Sequence, residues 1–418
     1  MILAFLAREI VKKYNPKIVG ITGSIGKTSA KEAIFCVLHD HFRVRQNIKN
    51  YNNELGVPLT IIGSESGGAS PVAWLKIIAK AVNLLFSTQK DYPEILVLEM
   101  GADKPGDIAY LVKIAPCFVG VLTKISPSHL EAFKTIEAVA REKQKIITHL
   151  GKNGFAVLNF DDERVEACAE NTKAQVISYG FGEAAVRALD LTEINEQKEL
   201  VGLKFKIQHN GHAVPAFMPG VIGAHGLYAG LAATGVGLAF GLNLIEISEG
   251  LKKYKAPKGR MSVIAGVKDS LIIDDTYNSS PDAAMAALDT LKKVNIAGIK
   301  RKVAILGDML ELGNLTEDAH RNLGKKAVES GAVLIVAVGN YRKLIADGAY
   351  SVGLPESQIV QFENSILAGQ AMNDLLQSGD IALVKGSQGA RMERVVKSIM
   401  RNPEQAENLL VRQGSDWE

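Results

Sequence analysis

Cysteine is scarce in this chain, and a long hydrophobic run is absent. The 418 residues contain three widely spaced cysteines, Cys36, Cys117 and Cys168. Three scattered cysteines argue against a disulfide framework or a zinc site, and they favour a reducing compartment. The apolar run at the start ends at Arg8, which is too short for a signal peptide or a membrane span. We therefore expect a cytoplasmic protein whose first residues form a helix leading into the first strand.

A large excess of charge of one sign is also missing. Lysine and arginine number 48, aspartate and glutamate 45, and the net charge is +3. Such a balance gives no reason to expect a nucleic-acid partner. Hydrophobic residues make up 47% of the chain, which is ordinary for a globular protein, and the length allows two or three domains.

One glycine of the common phosphate-binding loop is lacking, five places before Gly26. The chain instead reads Thr-Gly-x-x-Gly-Lys-Thr from Thr22 to Thr28, after a buried-type strand and before a helix-forming stretch. In such a loop, backbone N–H groups surround a phosphate, Lys27 adds a positive charge and the Thr28 hydroxyl can bind Mg²⁺. The alternative is a chance glycine-rich turn. Agreement of the strand, turn and helix signals favours the phosphate site.

Strand-like and helical runs alternate in the first half, which predicts a parallel sheet covered by helices. The strand-like runs are residues 17–22, 42–46, 94–99, 118–123 and 155–159. Residues 199–209 alternate apolar and polar side chains and lead into Asn210-Gly211, a pattern typical of a β-hairpin. A long apolar helix is predicted over residues 224–240.

A basic segment containing Pro257 and Gly259, residues 252–260, interrupts this pattern. We place a domain boundary there, which gives a central ATP-binding domain over 1–257 and a C-terminal Rossmann-like domain over 258–418. Strands of the second domain are predicted at 271–275, 302–306, 333–338 and 381–385. The predicted fold class is α/β: a P-loop domain with a mostly parallel sheet and a small antiparallel appendage, plus a smaller α/β domain.

Residues 71–86 read as a basic amphipathic helix. At helical spacing, one face is apolar and the opposite face is polar: Trp74, Ile77, Ile78, Ala81 and Leu85 against Lys76, Lys80 and Asn83. Such a helix can lie on a membrane surface. The alternative, which we favour, is a helix packed on the sheet.

Two residues near predicted strand ends are candidate metal ligands. Glu99 ends a buried strand, where ligands of open α/β sheets bind, and a buried carboxylate there needs a cation. Mg²⁺ ligation is one interpretation, and an ion pair with a neighbouring lysine or arginine is the other. His129 follows the next strand, although a loop histidine alone is usually only a polar residue.

Seven motifs in order, spanning most of the chain, make the sequence resemble the Mur ligase family. They are TGSIGKTSAKE (22–32), NNELGVPLT (52–60), LEMGADKPGDI (98–108), SPSHLEAF (126–133), DDTYNSSP (274–281), LGDMLELG (306–313) and VKGSQGARMERVV (384–396). The motifs at 306–313 and 384–396 are most similar to the branch that joins D-alanyl-D-alanine to a muramoyl-tripeptide. The resemblance implies an ATP-dependent, ADP-forming peptide ligase of cell-wall synthesis, which works through an acyl phosphate.

The resemblance also implies roles for individual residues. ATP contacts are assigned to Gly23, Ser24, Ile25, Gly26, Lys27, Thr28, Ser29, His225, Arg260 and Asp275. Catalytic roles fall on Lys27, His129, Lys143 and Arg260. Two Mg²⁺ ions are implied, with ligands Thr28, Glu99, His129 and Lys143. Lys143 matches the family's carbamylated lysine, and its alternative is a solvated helix lysine. Substrate contacts are assigned to Asn52, Asn53, Lys385 and Ser387, for which surface turns are the alternative.

The chain departs from the family pattern at several points. Ile25 stands where the family usually has asparagine, and Lys145 where relatives usually have glutamate. The family's His-Asn-x-x-Asn stretch reads His225-Gly226-Leu227-Tyr228-Ala229, so both asparagines are replaced. Sixteen residues precede the first predicted strand, where the family carries a UDP-binding domain. UDP would then be recognised by a partner chain or weakly, or the acceptor is not UDP-linked.

Three functions are therefore considered. The first is the ligase joining D-alanyl-D-alanine to a nucleotide-sugar-linked tripeptide. The second is a Mur-like ligase on a lipid-linked, pseudomurein-type or polyglutamate-type acceptor, for which residues 71–86 would contact a membrane. The third is a non-catalytic nucleotide-binding subunit. Retention of the motif residues together favours an enzyme.

Overall fold

The computed structural model describes residues 2–48, 51–127, 130–196, 199–294, 296, 298–414 and 417. The chain forms two compact units. The first contains the residues up to Asp190, with 205–217 and 228–254. The second contains 191–204, 218–227 and the residues from Lys255 onward.

A mostly parallel sheet has most of its strands in the first unit, while residues 191–204 and 218–219 of its last three strands belong to the second. Its strands are β1 (Lys17–Thr22), β2 (Val44–Gln46), β3 (Ile95–Glu99), β4 (Val119–Leu122), β5 (Phe155–Asn159), β6 (Gln175–Gly180), β7 (Val186–Glu196), β8 (Glu199–His209) and β9 (His212–Pro219). Their order is β2-β3-β1-β4-β5-β6-β7-β8-β9. Neighbouring strands are parallel from the β2 edge of the sheet as far as β7. The five strands predicted in the first half are confirmed to within two residues. The predicted hairpin is also confirmed: Asn210 and Gly211, both at positive φ, join β8 to β9.

Helices flank this sheet. They are α1 (Ile2–Tyr14), α2 (Lys27–His39), α3 (Gly56–Ile62), α4 (Pro71–Phe86), α5 (Asp107–Ile114), α6 (Leu130–Phe133), α7 (Ile136–Lys143), α8 (Lys145–Thr148), α9 (Glu163–Glu166), α10 (Gly223–Ala239) and α11 (Leu244–Leu251). The side chains of Ile18, Val19 and Ile21 in β1 are buried, because helices cover both faces of the sheet. Within the described residues, no helix is both long and apolar enough to span a membrane.

The second unit is a second open α/β sheet. Its strands are β10 (Ser262–Ala265), β11 (Leu271–Asp275), β12 (Arg301–Gly307), β13 (Ala332–Val338), β14 (Ile359–Phe362) and β15 (Asp380–Lys385). Their order is β10-β11-β15-β12-β13-β14, with β10 antiparallel to β11 and the other pairs parallel. The four predicted strands are confirmed, and the α/β fold class with them. The edge strands β10 and β14 were not predicted.

Helices of the second unit pack on both faces of its sheet. They are α12 (Pro281–Lys293), α13 (Thr316–Glu329), α14 (Arg342–Ser351), α15 (Ser365–Leu375), α16 (Glu393–Ile399) and α17 (Ala406–Leu409). Two glycines allow α13 and α14 to approach closely. A Cβ on Gly324 would lie 2.0 Å from the Ile345 carbonyl oxygen, and one on Gly348 would lie 2.0 Å from that of Arg321. Only glycine fits at such a backbone-to-backbone contact.

Candidate nucleotide and metal site

The glycine loop joins β1 to the N-terminus of α2, as its sequence predicts. Gly26 is the N-cap of α2 and has φ 85°, a left-handed conformation that glycine adopts without strain. Gly23 has φ 150°, and a Cβ there would lie 1.9 Å from Thr123 Oγ1. No described side chain caps the backbone N–H groups at this helix N-terminus, and the helix dipole favours negative charge there.

The residues that follow β4 hold the glycine loop in place through hydrogen bonds. Ser24 N donates to the Lys124 carbonyl at 2.6 Å, and Ser24 Oγ donates to the Ser126 carbonyl at 2.9 Å. Thr123 Oγ1 donates to the Ile25 carbonyl at 2.7 Å. The bond from Thr123 uses the carbonyl of Ile25, and none of the three uses the Ile25 side chain. An isoleucine in place of asparagine therefore leaves this bracing intact.

Two lysines meet at one carbonyl oxygen of the loop. Lys27 Nζ donates to the Gly23 oxygen at 2.8 Å, and Lys143 Nζ donates to the same oxygen at 3.0 Å. Lys143 is 2% exposed, so the alternative of a solvated helix lysine is wrong. Burial, and then the nearby Lys27 ammonium, lower the pKa of Lys143 to about 7. A substantial share of this amine is therefore neutral at neutral pH.

Glu99 lies beside the same loop, at the carboxyl end of β3. Its Oε2 accepts a hydrogen bond from Thr28 Oγ1 at 3.0 Å, and its Oε1 accepts one from Asn52 Nδ2 at 3.1 Å. Glu99 is buried, and its contacts with a hydroxyl and an amide differ from the ion pair that was the alternative. A carboxylate and a hydroxyl in contact are hard oxygen donors, which fit Mg²⁺.

Asn47 is a residue of this site that the sequence analysis missed. It is buried just after β2, and its Oδ1 accepts a hydrogen bond from Glu99 N at 2.6 Å. Lys31 Nζ in turn donates to the Asn47 carbonyl at 2.8 Å. Asn47 thus fixes the backbone that carries Glu99. Its position in the sequence could have revealed it. A polar residue that follows β2, the strand beside β3, lies at the same edge of the sheet as Glu99.

Ser29, Asn52 and Asn53 have structural partners in the first unit. Burial raises the pKa of the Tyr254 hydroxyl, at the end of this unit, and the nearby Ser29 side chain partly offsets that rise. Besides contacting Glu99, Asn52 accepts a backbone bond from Gly101 N at 2.7 Å. Asn53 Oδ1 accepts from Gly56 N at 2.9 Å and so helps to begin α3.

In the second unit, Arg260 and Asp275 have different surroundings. The Arg260 guanidinium stacks on the Tyr277 ring, with 3.9 Å between Cζ and the ring centroid. Its Nε is buried without a hydrogen-bond partner. Asp275 Oδ2 accepts from Lys385 Nζ at 2.6 Å, across the parallel pair β11 and β15. Two residues predicted to contact different substrates therefore form one buried ion pair.

Ser387 and His225 are the remaining predicted site residues of the second unit. Ser387 is buried, and its Oγ donates to the Ser279 carbonyl at 3.1 Å and accepts from Leu310 N at 2.9 Å. It therefore connects three loops, and the alternative of a surface turn is wrong for both Lys385 and Ser387. His225 is exposed near the start of α10.

Comparisons with known proteins match both halves of the chain. The model of the Mur ligase middle domain matches residues 79–237, and that of the Mur ligase, glutamate ligase domain matches residues 259–388. The UDP-N-acetylmuramoyl-tripeptide–D-alanyl-D-alanine ligase of Mycobacterium leprae is 30% identical over 390 residues, which cover 88% of this chain and 71% of that enzyme. This chain belongs to the Mur ligase family.

Two further relatives agree with this Mur ligase assignment. The ligase of the same name from Bacillus subtilis is 28% identical over 398 residues, covering 95% of this chain and 79% of that enzyme. The crystal structure of MurF ligase from Thermotoga maritima in complex with ADP superposes with a TM-score of 0.78 at 26% identity. It covers 96% of this chain and 84% of that one. The family resemblance of the motifs and the predicted fold are both confirmed.

The departure from the Mur ligase pattern at Lys145 has a local explanation. Lys145 Nζ lies 2.6 Å from Oε2 of Glu142, a buried carboxylate. Glu142 also accepts from Gly106 N and Ile108 N, each at 2.9 Å, at the start of α5. The lysine therefore balances a buried charge next to the site.

The predicted second metal position is only partly described. His129 lies outside the described residues. In the part of the chain that the structure describes, no group of three or more His, Cys, Asp and Glu side chains is arranged to hold a metal ion. Among the described residues, a metal at this Mur ligase site would use Thr28, Glu99 and a modified Lys143.

Proposed function

We propose that this chain is an ATP-dependent, ADP-forming ligase that joins D-alanyl-D-alanine to UDP-N-acetylmuramoyl-tripeptide. One observation carries the proposal: Lys27, Thr28 and Glu99 converge at a phosphate-binding loop. The relatives reported above bear the name of this activity, which favours it over a lipid-linked, pseudomurein-type or polyglutamate-type acceptor. The names of these relatives also favour the ligase activity over a non-catalytic nucleotide-binding subunit.

The proposed reaction has two steps. The tripeptide carboxylate first attacks the γ-phosphorus of ATP, and the bond to the β,γ-bridging oxygen breaks, which gives an acyl phosphate and ADP. The amine of D-alanyl-D-alanine then attacks the acyl carbon, loses a proton, and inorganic phosphate leaves. Charge gathers on phosphate oxygens in the first step, so stabilisation by the chain is electrostatic.

The first unit would hold the phosphates. The N–H groups of the loop up to Thr28, apart from that of Ser24, would bind phosphate oxygens, and the Lys27 ammonium would neutralise the transferred group. Thr28 and Glu99 would hold Mg²⁺, which supplies positive charge to the phosphate oxygens when bound. Asn47 and Asn52 would keep the Glu99 carboxylate oriented, because they bond its backbone and its side chain.

Lys143 would serve as a carbamate. A neutral amine is the form that adds CO₂, and burial supplies that form at neutral pH. Addition of CO₂ with loss of a proton turns the amine into an anion that offers oxygen ligands. This change replaces the repulsion between Lys143 and Lys27 by attraction, and a second Mg²⁺ held with His129 would use the carbamate oxygens.

The second unit would supply further ATP contacts. Arg260 would reach the γ-phosphate, and its stacking on Tyr277 limits the directions it can adopt. Asp275 would bind the ATP ribose, and Lys385 would hold the Asp275 carboxylate through its Oδ2 atom. Lys385 would therefore help to bind the nucleotide as well as the dipeptide. His225 would contact ATP, Ser387 the dipeptide, and Asn52 and Asn53 the tripeptide.

The test measures phosphate release from ATP and Mg²⁺ with UDP-N-acetylmuramoyl-tripeptide, with and without D-alanyl-D-alanine. We expect release that requires both substrates, together with a ligated product found by mass spectrometry. Lys27→Met should reduce kcat by at least about 100-fold, whereas the exposed Lys152→Met in the same unit should leave it unchanged. Turnover only with a lipid-linked or polyglutamate-type acceptor, or none with any acceptor, would refute the proposal.

A further inference from the structure

Helix α4 carries two apolar faces, and the core uses only one of them. Ile77, Ala81 and Leu84 are buried in the core of the first unit, with Trp74, Ile78 and Leu85 packed at its edge. The alternative favoured from the sequence was a helix packed on the sheet; in the structure this face of α4 is buried in the core of the first unit, beside α1 and α3. The second face was not noticed in the sequence, because its residues interleave with the lysines.

The second face is a line of exposed apolar side chains, here called the outer stripe. Its members are Val72, Leu75, Ala79, Val82 and Phe86. Their spacing of three and four residues places them on one line along the helix, roughly opposite the buried face. Val72, Leu75 and Phe86 are 61%, 66% and 87% exposed. Single exposed apolar residues are normal, but a continuous line of them marks an interaction surface.

Helix α1 packs beside α4 and also carries exposed apolar side chains. Lys13 Nζ donates to the carbonyls of Leu84 and Leu85, at 3.0 and 2.9 Å, which fastens the end of α1 to the end of α4. Ile2 and Phe5 of α1 are also mostly exposed. The two helices therefore present apolar side chains from a firmly packed support.

The charged residues of the two helices themselves are mostly positive. Helix α4 contains Lys76 and Lys80 and no acidic residue. Helix α1 contains Arg8, Lys12 and Lys13 and a single carboxylate, Glu9, which pairs with Lys12 at 2.8 Å. A second copy of this chain would bring the same positive charge against this surface, whereas an anionic surface would be attracted.

We propose that the outer stripe, with the basic residues of α1 and α4, docks peripherally on an anionic phospholipid surface. Helix α4 would lie in the plane of the interface, with Leu75 and Phe86 entering the boundary between headgroups and acyl chains. Lys76 on its flank would face lipid phosphates, whereas Lys80 Nζ donates to the Gly63 carbonyl. This surface is separate from the phosphate-binding loop, so the proposal does not depend on the proposed reaction.

The experiment is co-sedimentation of the full chain with vesicles. Vesicles of equal parts phosphatidylglycerol and phosphatidylcholine should bind the protein, and pure phosphatidylcholine vesicles should bind it far less. Raising NaCl from about 50 mM to about 500 mM should weaken the binding, because salt screens the lysines. Leu75→Ser with Phe86→Ser should lower the partition coefficient by on the order of 100-fold, since two large apolar side chains no longer insert.

A matched control uses Ile245→Ser, because Ile245 is 64% exposed on α11 of the same unit. This variant should bind vesicles like the unchanged protein. The thermal unfolding midpoint of the double variant should stay within a few degrees of normal, because its targets lie outside the core. Equal binding by the double variant, or no binding to anionic vesicles, would overturn the proposal. A dimer that dissociates on these substitutions, without vesicle binding, would assign the surface to a second copy and overturn it too.

Discussion

The ion pair between Arg412 and Glu393 is the interaction in the second unit whose loss should be most damaging. Arg412 Nη2 lies 2.8 Å from Glu393 Oε2, and the two side chains are 5% and 0% exposed. Arg412 also donates to the carbonyls of Thr276 and Tyr277, at 2.5 and 3.1 Å. We predict that Arg412→Met lowers the free energy of unfolding of this unit by about 3–5 kcal/mol.

The magnitude follows from what the substitution leaves behind. Methionine fills much of the arginine volume, so little of the loss comes from a cavity. Glu393 would remain buried with Arg391 Nε at 2.6 Å. The carbonyls of Thr276 and Tyr277 would each lose a donor. Because Glu393 keeps one partner, Arg391, we expect the loss in free energy of unfolding near the lower end of this range, about 3 kcal/mol.

The same pair makes stability depend on acidity. Burial raises the pKa of Glu393, but hydrogen bonds from Arg412 and Arg391 outweigh burial, so its pKa lies below the ordinary value. The ionised carboxylate therefore stabilises the fold above the pKa of the unfolded chain, and this contribution is lost as pH falls through the folded pKa. Without Arg412 the pKa of Glu393 should rise, and acid unfolding should begin at a higher pH.

The assay is urea unfolding followed by tryptophan fluorescence. The chain has two tryptophans, so a Trp74→Phe background leaves Trp417 as a reporter of the second unit. The control is Arg321→Met, which removes a half-exposed pair with Asp347 at 3.1 Å and should change stability by at most about 1 kcal/mol. Equal losses in the two variants would refute the reasoning from burial.

Further predictions concern a buried acid, a close helix contact and the metal ligand. Burial raises the pKa of Asp274 to about 7, so the folded chain holds a proton there and loses stability as pH rises from about 4 toward 7. Asp274→Asn should abolish this part of the pH dependence, measured by urea unfolding at a series of pH values. Gly324→Ala should lower the free energy of unfolding by at least about 1–3 kcal/mol because its Cβ meets backbone, while Gly414→Ala, with open space around it, should be neutral by the same assay. Glu99→Gln should reduce ATP turnover at limiting Mg²⁺ more than at saturating Mg²⁺, as phosphate release over a Mg²⁺ titration would show; an equal reduction at both would contradict a metal role.

Much of the fold could be predicted because its patterns are local. The strand β1, its glycine loop and the start of α2 are contiguous, and the buried strands β3 and β4 are short apolar runs between turn signals. The edge strands β10 and β14 were missed because they are four residues long and only partly buried. The outer stripe of α4 was missed for a different reason, since its apolar residues interleave in the sequence with the lysines of the polar face.

The site was predictable as a set of residue types, but not as a set of contacts. The pairing of Asp275 with Lys385 depends on the register of β11 against β15, strands separated by more than 100 positions in the chain. The burial of Lys143, and with it the lowered pKa of its amine, depends on α7 packing against the loop that holds Lys27. Both are properties of the assembled sheet edges, which no local pattern records.

Glu99 shows how the fold sets the chemistry of a single side chain. Asn47, just after β2, fixes the backbone of Glu99. The Glu99 carboxylate lies between Thr28 on α2 and Asn52 in the loop that joins β2 to α3. A hydroxyl and an amide orient the carboxylate through hydrogen bonds, and the Lys143 amine, which interacts with it electrostatically, has a lowered pKa. A buried carboxylate held in this way keeps its affinity for a cation, which is why the neighbours of Glu99 argue for a metal more strongly than its residue type does.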